Sequence, residues 1–556
     1  MNAGPARKPT RPPGALLATL ALAAAFAILA AGFSFARFDT FKSHLHDTGL
    51  IAQSFWSTTQ GRLFVNSVNP EIGRSPYYFG NHFTPIYFLL APFYWLVPSP
   101  KTLLALQALL VALGAVPVYG LARMRFESPR AALVFASLYL LHPAIWFACL
   151  YDFHSEAFSG TFLLYAILYL ELGAWPQFWT ACALAMACKE HVSLVVAALG
   201  LLLVSDPQTR KRGVIITATG AATFLIVNFW IIPAFSGTSG HPYLAERYAH
   251  LGTGPAAIAW NALTHPLTTL GHLATGRHLY YAICLLGPVL FLPLYRPASL
   301  LIGLPIFLAN GLSSLLYTYD IGFYHAASIL PAVFWATLRS AAALHCKVVP
   351  RLGARGCAVL LLANALFWHC QTQSAFLPGL FAPLSPNAHR SDFAVGDHER
   401  LIEDVRRQLP TGASLSVQFN LASHFTDREK LYQFPNRVGE VDWVLLDLTE
   451  PYRFRPDFRR FWLEFSLQVK VPRFVEAARG LLADRRYGLV YARDGFLLFR
   501  RGAGDTADRG GARHLLEERA TLWLSYAGRG YGRDRHVWDK DPKSPPATPR
   551  PGSVTP

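Results

Sequence analysis

Charge is what this sequence has little of. Asp, Glu, Lys and Arg together make up 15% of its 556 residues, against 52% hydrophobic residues. A chain that apolar, with a positive mean hydropathy, is not an ordinary soluble enzyme. Acid is scarcer still in the first 390 residues, where 11 Asp+Glu stand against 23 Lys+Arg; the remainder holds 23 against 27. Most of the +16 excess therefore belongs to the apolar part, which argues against nucleic acid as a partner. Cysteine is sparse as well. Cys149, Cys182, Cys188, Cys284, Cys346, Cys357 and Cys370 all fall in apolar runs or short basic loops, which implies buried, inert thiols and no disulfide framework or thiolate metal site. No internal repeat of fixed period occurs, and the first apolar run, 14–36, has no clear cleavage site, so we read it as a retained helix following a cytoplasmic segment, 1–13.

What is present is a series of uncharged runs near the roughly 20 residues that a helix needs to cross a bilayer. Basic clusters punctuate them: Arg7, Lys8 and Arg11; Arg123, Arg125 and Arg130; Arg210, Lys211 and Arg212; Arg339, Lys347, Arg351 and Arg355. Lys and Arg near span ends mark the cytoplasmic side. Anchoring those clusters inside gives spans at 14–36, 101–122, 131–149 and 157–173, a hairpin of short pieces 176–188 and 192–205, then 213–235, 279–295, 298–317, 322–338 and 356–376. That makes about 11 crossings in a mostly α, polytopic domain over 14–376, with outer segments 37–100 and 236–278. Residues 85–97 are apolar but too short to span, which fits a re-entrant or interfacial helix. The odd count leaves the rest of the chain outside. There, 390–502 reads as a small α/β module with strands at 415–419, 441–446, 488–492 and 495–500, the last two joined by an Asp-Gly turn, and helices near 398–408 and 473–484. Residues 503–556, rich in Arg, Asp, Gly and Pro, read as mostly disordered.

This topology sends eight of the 11 membrane-half acids to the outer side. Ionisable groups at membrane level are costly and need a reason; wet loops are the plain one, and a shared site is the other. Asp47 opens the first outer segment, His82 closes a Gly-Asn-His run, Asp152, His154 and Glu156 share one turn, Lys189 and Glu190 interrupt the hairpin, and Tyr324 and His325 follow Tyr319-Asp320. Asp152, His154 and Glu156 are candidate ligands for a divalent metal, Mg, Mn or Zn, or else ordinary loop caps. Lys189 suits a phosphate as a point charge. Cation-paired Glu190, together with His82, Tyr324 and His325, makes up a candidate substrate-binding set. His44 and His46 read as ligands or as merely interfacial.

The runs Asp47-Thr48-Gly49-Leu50-Ile51-Ala52-Gln53-Ser54-Phe55-Trp56, Gly80-Asn81-His82-Phe83-Thr84-Pro85, Tyr151-Asp152-Phe153-His154-Ser155-Glu156 and Lys189-Glu190, with Gln418, Leu431-Tyr432-Gln433-Phe434-Pro435 and Val441-Asp442-Trp443, resemble the bacterial membrane-protein family called domain of unknown function 2079. The chain departs from it at Ala52, Asn81 and His191, where the family commonly has Asp. The layout also resembles GT-C glycosyltransferases. That resemblance implies transfer of a sugar from a polyprenyl-phosphate donor, a membrane lipid, to an extracytoplasmic acceptor at the inner (cytoplasmic) membrane, with Asp47 matching the first-loop acid that serves as general base or metal ligand. A transporter or flippase of lipid-linked or polar solutes would use the same polar interior without chemistry. A non-catalytic assembly factor is the third reading.

Overall fold

The computed structural model describes residues 13–238, 241, 243–372, 393–449 and 471–528. The basic segment with Arg7, Lys8 and Arg11, the expected end of the last span at Phe376, the first residues of the module expected at 390–502, and residues 529–556 lie outside them. The chain divides into two compact units, Met1–Leu445 with Leu498–Arg501, and Leu446–Leu497 with Gly502–Pro556.

The first unit is mostly helical. Its opening helix, Pro13–Asp39, is followed by the expected short apolar helix Tyr87–Leu96 and by Pro100–Ala112 and Ala115–Phe126 in close succession. Pro at the first helical position with a serine cap starts both Pro100–Ala112 and Pro129–Leu140, where the Ser99 and Ser128 side chains accept backbone N–H groups. The hairpin is present as Trp175–Cys188 and Val192–Val204, interrupted at Lys189-Glu190-His191. Among the described residues three helices, Gly14–Asp39, Pro100–Phe126 and Arg210–Ser236, are long and apolar enough to cross a membrane. The pair Pro129–Leu140 and Pro143–Leu150, bent by 47°, would make a fourth. The bend falls before Pro143, as the steric restriction on a pre-proline residue requires.

Three expected spans take another form. Runs 279–295 and 298–317 are not continuous helices: Gly276–Leu286 gives way to the short tight turns Gly287–Val289, Leu292–Tyr295 and Pro297–Ile302, then Leu304–Gly311. Pro288, Pro293 and Pro297 withhold the amides that would continue the ladder, and Leu290 and Phe291 sit at positive φ. The run expected from 322 becomes helical only at Leu330. It continues to Gln371 across a kink at Gly353, whose φ of 70° ends regular helix there.

The first unit also holds two short parallel strands and the first three residues of a third. β1 (Leu415–Val417) pairs with β2 (Leu431–Gln433) through Leu415↔Leu431 and with β3 (Trp443–Asp447) through Leu415↔Trp443. Leu415, Ser416 and Val417 are fully buried, as a strand covered on both faces must be. β2 had no sequence signal, being three residues of mixed polarity ahead of Pro435. The unit boundary falls inside the segment expected as one module, because the strand region is tied to the first outer segment. Leu45 N donates to Phe419 O at 3.2 Å, Gln53 Nε2 to Arg428 O at 2.9 Å, and Gln433 N to Glu71 Oε2 at 3.0 Å.

In the second unit, helix Val471–Ala483 packs on helix Arg509–Gly528, with Phe474 edge-on to Trp523 at 6.1 Å and Arg479 paired with Glu517. The second helix lies in the stretch expected to be disordered. Its apolar positions Ala512, Leu516, Ala520 and Trp523 are buried, at a spacing of three to four residues that its many charges hide in a composition count. β4 (Tyr487–Arg493) of this unit leads into β5 (Phe496–Arg501), which counts with the first unit from Leu498 on, through Asp494 and Gly495, both at positive φ, as the Asp-Gly signal anticipates.

Candidate active site

Asp47 lies in a five-residue turn, Leu45–Gly49, that runs into helix Leu50–Thr59. Its carboxylate faces the loop Tyr151–Ser155. His154 Nε2 stands 3.3 Å from Oδ1, and the Tyr151 hydroxyl donates to Oδ2 at 3.3 Å. His44 Nδ1 bridges two acids, 3.9 Å from Asp47 Oδ2 and 3.5 Å from Asp152 Oδ2, and the His44 backbone N–H donates to Asp152 at 2.8 Å. The loop is pinned in turn: Phe153 N donates to Thr48 Oγ1 at 3.0 Å, and His154 N to Gln107 Oε1 at 2.7 Å, while Gln107 Nε2 donates to the carbonyl of Cys149 at 2.9 Å. Helix Pro100–Ala112 thus supplies the clamp that holds the acid loop against Asp47.

The two carboxyls are driven apart in protonation. Burial raises the Asp47 pKa, but His154, with His44 and His46, outweighs it and brings the group down to about 2. Asp152, 1% exposed, is pushed up by burial and by the neighbouring Asp47 charge, against His44 and Arg37. The shifts of these adjacent acids thus run in opposite directions. Asp47 keeps 23% of its side chain exposed, so the carboxylate with the lowered pKa is also the more accessible one.

Glu156 points elsewhere. His154 is extended, at φ −146° and ψ 124°, and Ser155–Phe158 is a tight helical turn that swings Glu156 to His191 Nε2 at 3.0 Å and His325 Nδ1 at 3.9 Å. Burial raises the pKa of Glu156, and His191, His325 and Lys189 together lower it to about 2. The expected metal set Asp152, His154 and Glu156 therefore does not converge. The reason is that the switch from extended chain to helical turn breaks the alternation that D-x-H-x-E would need. Tyr324 and His325 are present but enclosed: the Tyr324 ring stacks on His154 at 3.6 Å and 19°. Gly160 permits this, since a Cβ there would meet the Ala327 carbonyl at 2.5 Å.

Lys189 is 6% exposed, and no hydrogen bond or ion pair to its ammonium is found among the described residues. Burial lowers its pKa against the pull of Glu190 and Glu156. Glu190 accepts or shares a proton with His82 Nδ1 at 2.9 Å and lies 3.5 Å from His241 Nε2. His241 escaped the sequence reading because a lone histidine in a Gly-His-Pro setting carries no spacing signal. His44, Gln107 and His191 complete the site. Of these only His44 was singled out in advance as a possible ligand, by its place beside Asp47.

Among solved structures, one that resembles this chain is ArnT from Cupriavidus metallidurans bound to undecaprenyl phosphate, at 14% identity and a TM-score of 0.45, covering 86% of this chain and 97% of that one. The likeness is too loose to bear on function. No curated protein matches the sequence. Residues 37–498 match the predicted membrane proteins of domain of unknown function 2079, and with most of its length matched the chain belongs to that family.

Proposed function

We propose that the protein is an integral-membrane glycosyltransferase of the GT-C kind, moving a sugar from a polyprenyl-phosphate donor to an extracytoplasmic acceptor. The observation that carries this reading is the Asp47 carboxylate: ionised, accessible, oriented by His154, His44 and Tyr151, and backed by a buried acid whose pKa is shifted the other way, upward. In the proposed step the acceptor hydroxyl gives its proton to Asp47 as its oxygen forms the new bond to the sugar's anomeric carbon. The bond from that carbon to the phosphate oxygen breaks, and the electron pair leaves with the polyprenyl phosphate. Among the described residues the Lys189 ammonium has no hydrogen bond or ion pair, and an arriving phosphate would offer it one beside the charges of Glu190 and Glu156. Tyr324 and His325 then hold His154 and Glu156 in place. A metal at Asp152, His154 and Glu156 does not fit this geometry, and no step here runs through one.

The topology that goes with this reading has about 11 crossings, the N-terminus in the cytoplasm of the inner membrane and the chain from about Leu377 outside. A reporter fused after Phe376 is expected to be active in its extracytoplasmic form; a cytoplasmic signal overturns the side assignment. For the chemistry, wild-type and Asp47→Asn membranes are compared for sugar release from radiolabelled polyprenyl-phosphate donors. Transfer by the wild type that disappears in the variant supports the reading. Equal transfer by both removes Asp47 from the mechanism, and solute flux without transfer favours a transporter.

A further inference from the structure

Outside the Asp47 cluster the structure gathers a second set of donors from three distant segments. His82 follows the turn Tyr78–Gly80, Glu190 sits in the break between Trp175–Cys188 and Val192–Val204, and His241 comes from the second outer segment. We propose that His82, Glu190 and His241 form a binding site for a divalent first-row transition metal, zinc by default. This does not rest on the transferase reading.

The distances agree with a coordination sphere. Glu190 Oε1 lies 2.9 Å from His82 Nδ1 and 3.5 Å from His241 Nε2, and one ligand atom from each of the three falls within 4.8 Å of the others. Ligands at ~2.0–2.1 Å from a tetrahedral zinc stand about 3.3 Å apart. Two imidazoles and one carboxylate favour zinc or its neighbours over magnesium or calcium, and such a set leaves one coordination position open.

A plain ion pair explains the set less well. Glu190 is 7% exposed and its second oxygen, Oε2, is buried with no hydrogen-bond partner among the described residues. An unpartnered carboxylate oxygen is costly, and a cation beside it removes that cost. The imidazole is also held ready. The His82 ring stacks on Tyr243 at 4.7 Å and 8°, and Arg74 donates to the Tyr243 hydroxyl at 2.7 Å. A pre-oriented ring of this kind is what metal ligation requires of its surroundings. His82 and Glu190 were first read as substrate contacts; here they become ligands, with Lys189 left to the phosphate.

The test uses the full-length protein purified in detergent, stripped with chelator, and then loaded with zinc or cobalt alone. Metal content per chain and the visible d–d bands of tetrahedral cobalt are read for wild type, Glu190→Gln, His241→Gln and Asp152→Asn, with circular dichroism as the check on folding. The expected result is one ion per chain in wild type and Asp152→Asn, with affinity at least ~10-fold weaker in Glu190→Gln and His241→Gln, the scale at which even outer-shell partners act. Wild type that stays metal-free under saturating zinc and cobalt overturns the proposal. So does loss of the ion in Asp152→Asn with retention in Glu190→Gln, which would move the site to Asp47. If Glu190→Gln alone misfolds, a folded His241→Gln that keeps full affinity is equally fatal.

Discussion

The two ends of the helical unit treat their carboxylates differently. Helix Ser159–Leu172 begins beside Glu156, which faces His191 and His325, and ends at Glu171, which is paired with Arg125 and accepts from the Trp335 indole at 2.5 Å. Over about 20 Å of helix the partner of an acid changes from imidazole to guanidinium. Arginine is permanently charged and its fork locks a carboxylate in place. Imidazole changes its charge in the working pH range and has two distinct nitrogens. The lesson is that the guanidinium end is a fixed ion pair, while the imidazole end presents ring nitrogens suited to holding a ligand.

The comparison can be broken most sharply at the acids themselves. Asp47→Asn is expected to lower sugar transfer by about 10²- to 10⁴-fold, the range for loss of a general base. Arg125→Gln, at the opposite end, should leave the rate per folded molecule within about threefold, as measured on the same donor. Next in size, Lys189→Met should raise the KM for the phosphate-linked donor by roughly 10- to 100-fold, matching the 1.5–3 kcal/mol typical of a hydrogen bond to a charged group, with kcat less affected. Glu171→Gln should do the reverse: little change in rate, but a loss of about 2 kcal/mol in stability, read as a fall in Tm.

A further prediction uses pH. Asp47 has its pKa lowered from 3.8 to about 2 in the folded state, so its contribution to stability is present above the unfolded value and is lost as pH falls through the folded one. The difference in stability between wild type and Asp47→Asn, about 2 kcal/mol at neutral pH, should shrink between pH 4 and about 2. A difference that instead shrinks as pH rises would overturn the assignment. The smallest effect is expected at the exposed pair in the second unit: Arg479→Ala should cost less than about 1 kcal/mol.

Much of the polar end was legible in the residues. Asp47, Asp152, His154, Lys189 and Glu190 stood out because charge is costly among apolar helices, and each lies where a helix is interrupted. What the residues did not carry was partnership. Asp152, His154 and Glu156 are near neighbours in sequence, yet only the first two gather at Asp47 and His44, since a turn of backbone carries Glu156 to His191 and His325. His241 lies 51 positions from Glu190 in the numbering and meets it only through folding. The helix Arg509–Gly528 was hidden by its composition, and the broken runs near Pro288, Pro293 and Pro297 read as spans because hydropathy ignores the missing amide protons.

The sequence by itself determined the membrane class, the helix-rich architecture, the strands β1 and β3 to β5, and which polar residues interrupt the apolar runs. Those follow from local quantities: transfer cost, periodicity, and the conformations open to glycine and proline. Only the tertiary structure decided that His44 would sit between two acids, that Glu156 would leave them, and that His82 and His241 would meet at Glu190. Side-chain partners depend on distances across the fold, and no local term encodes them.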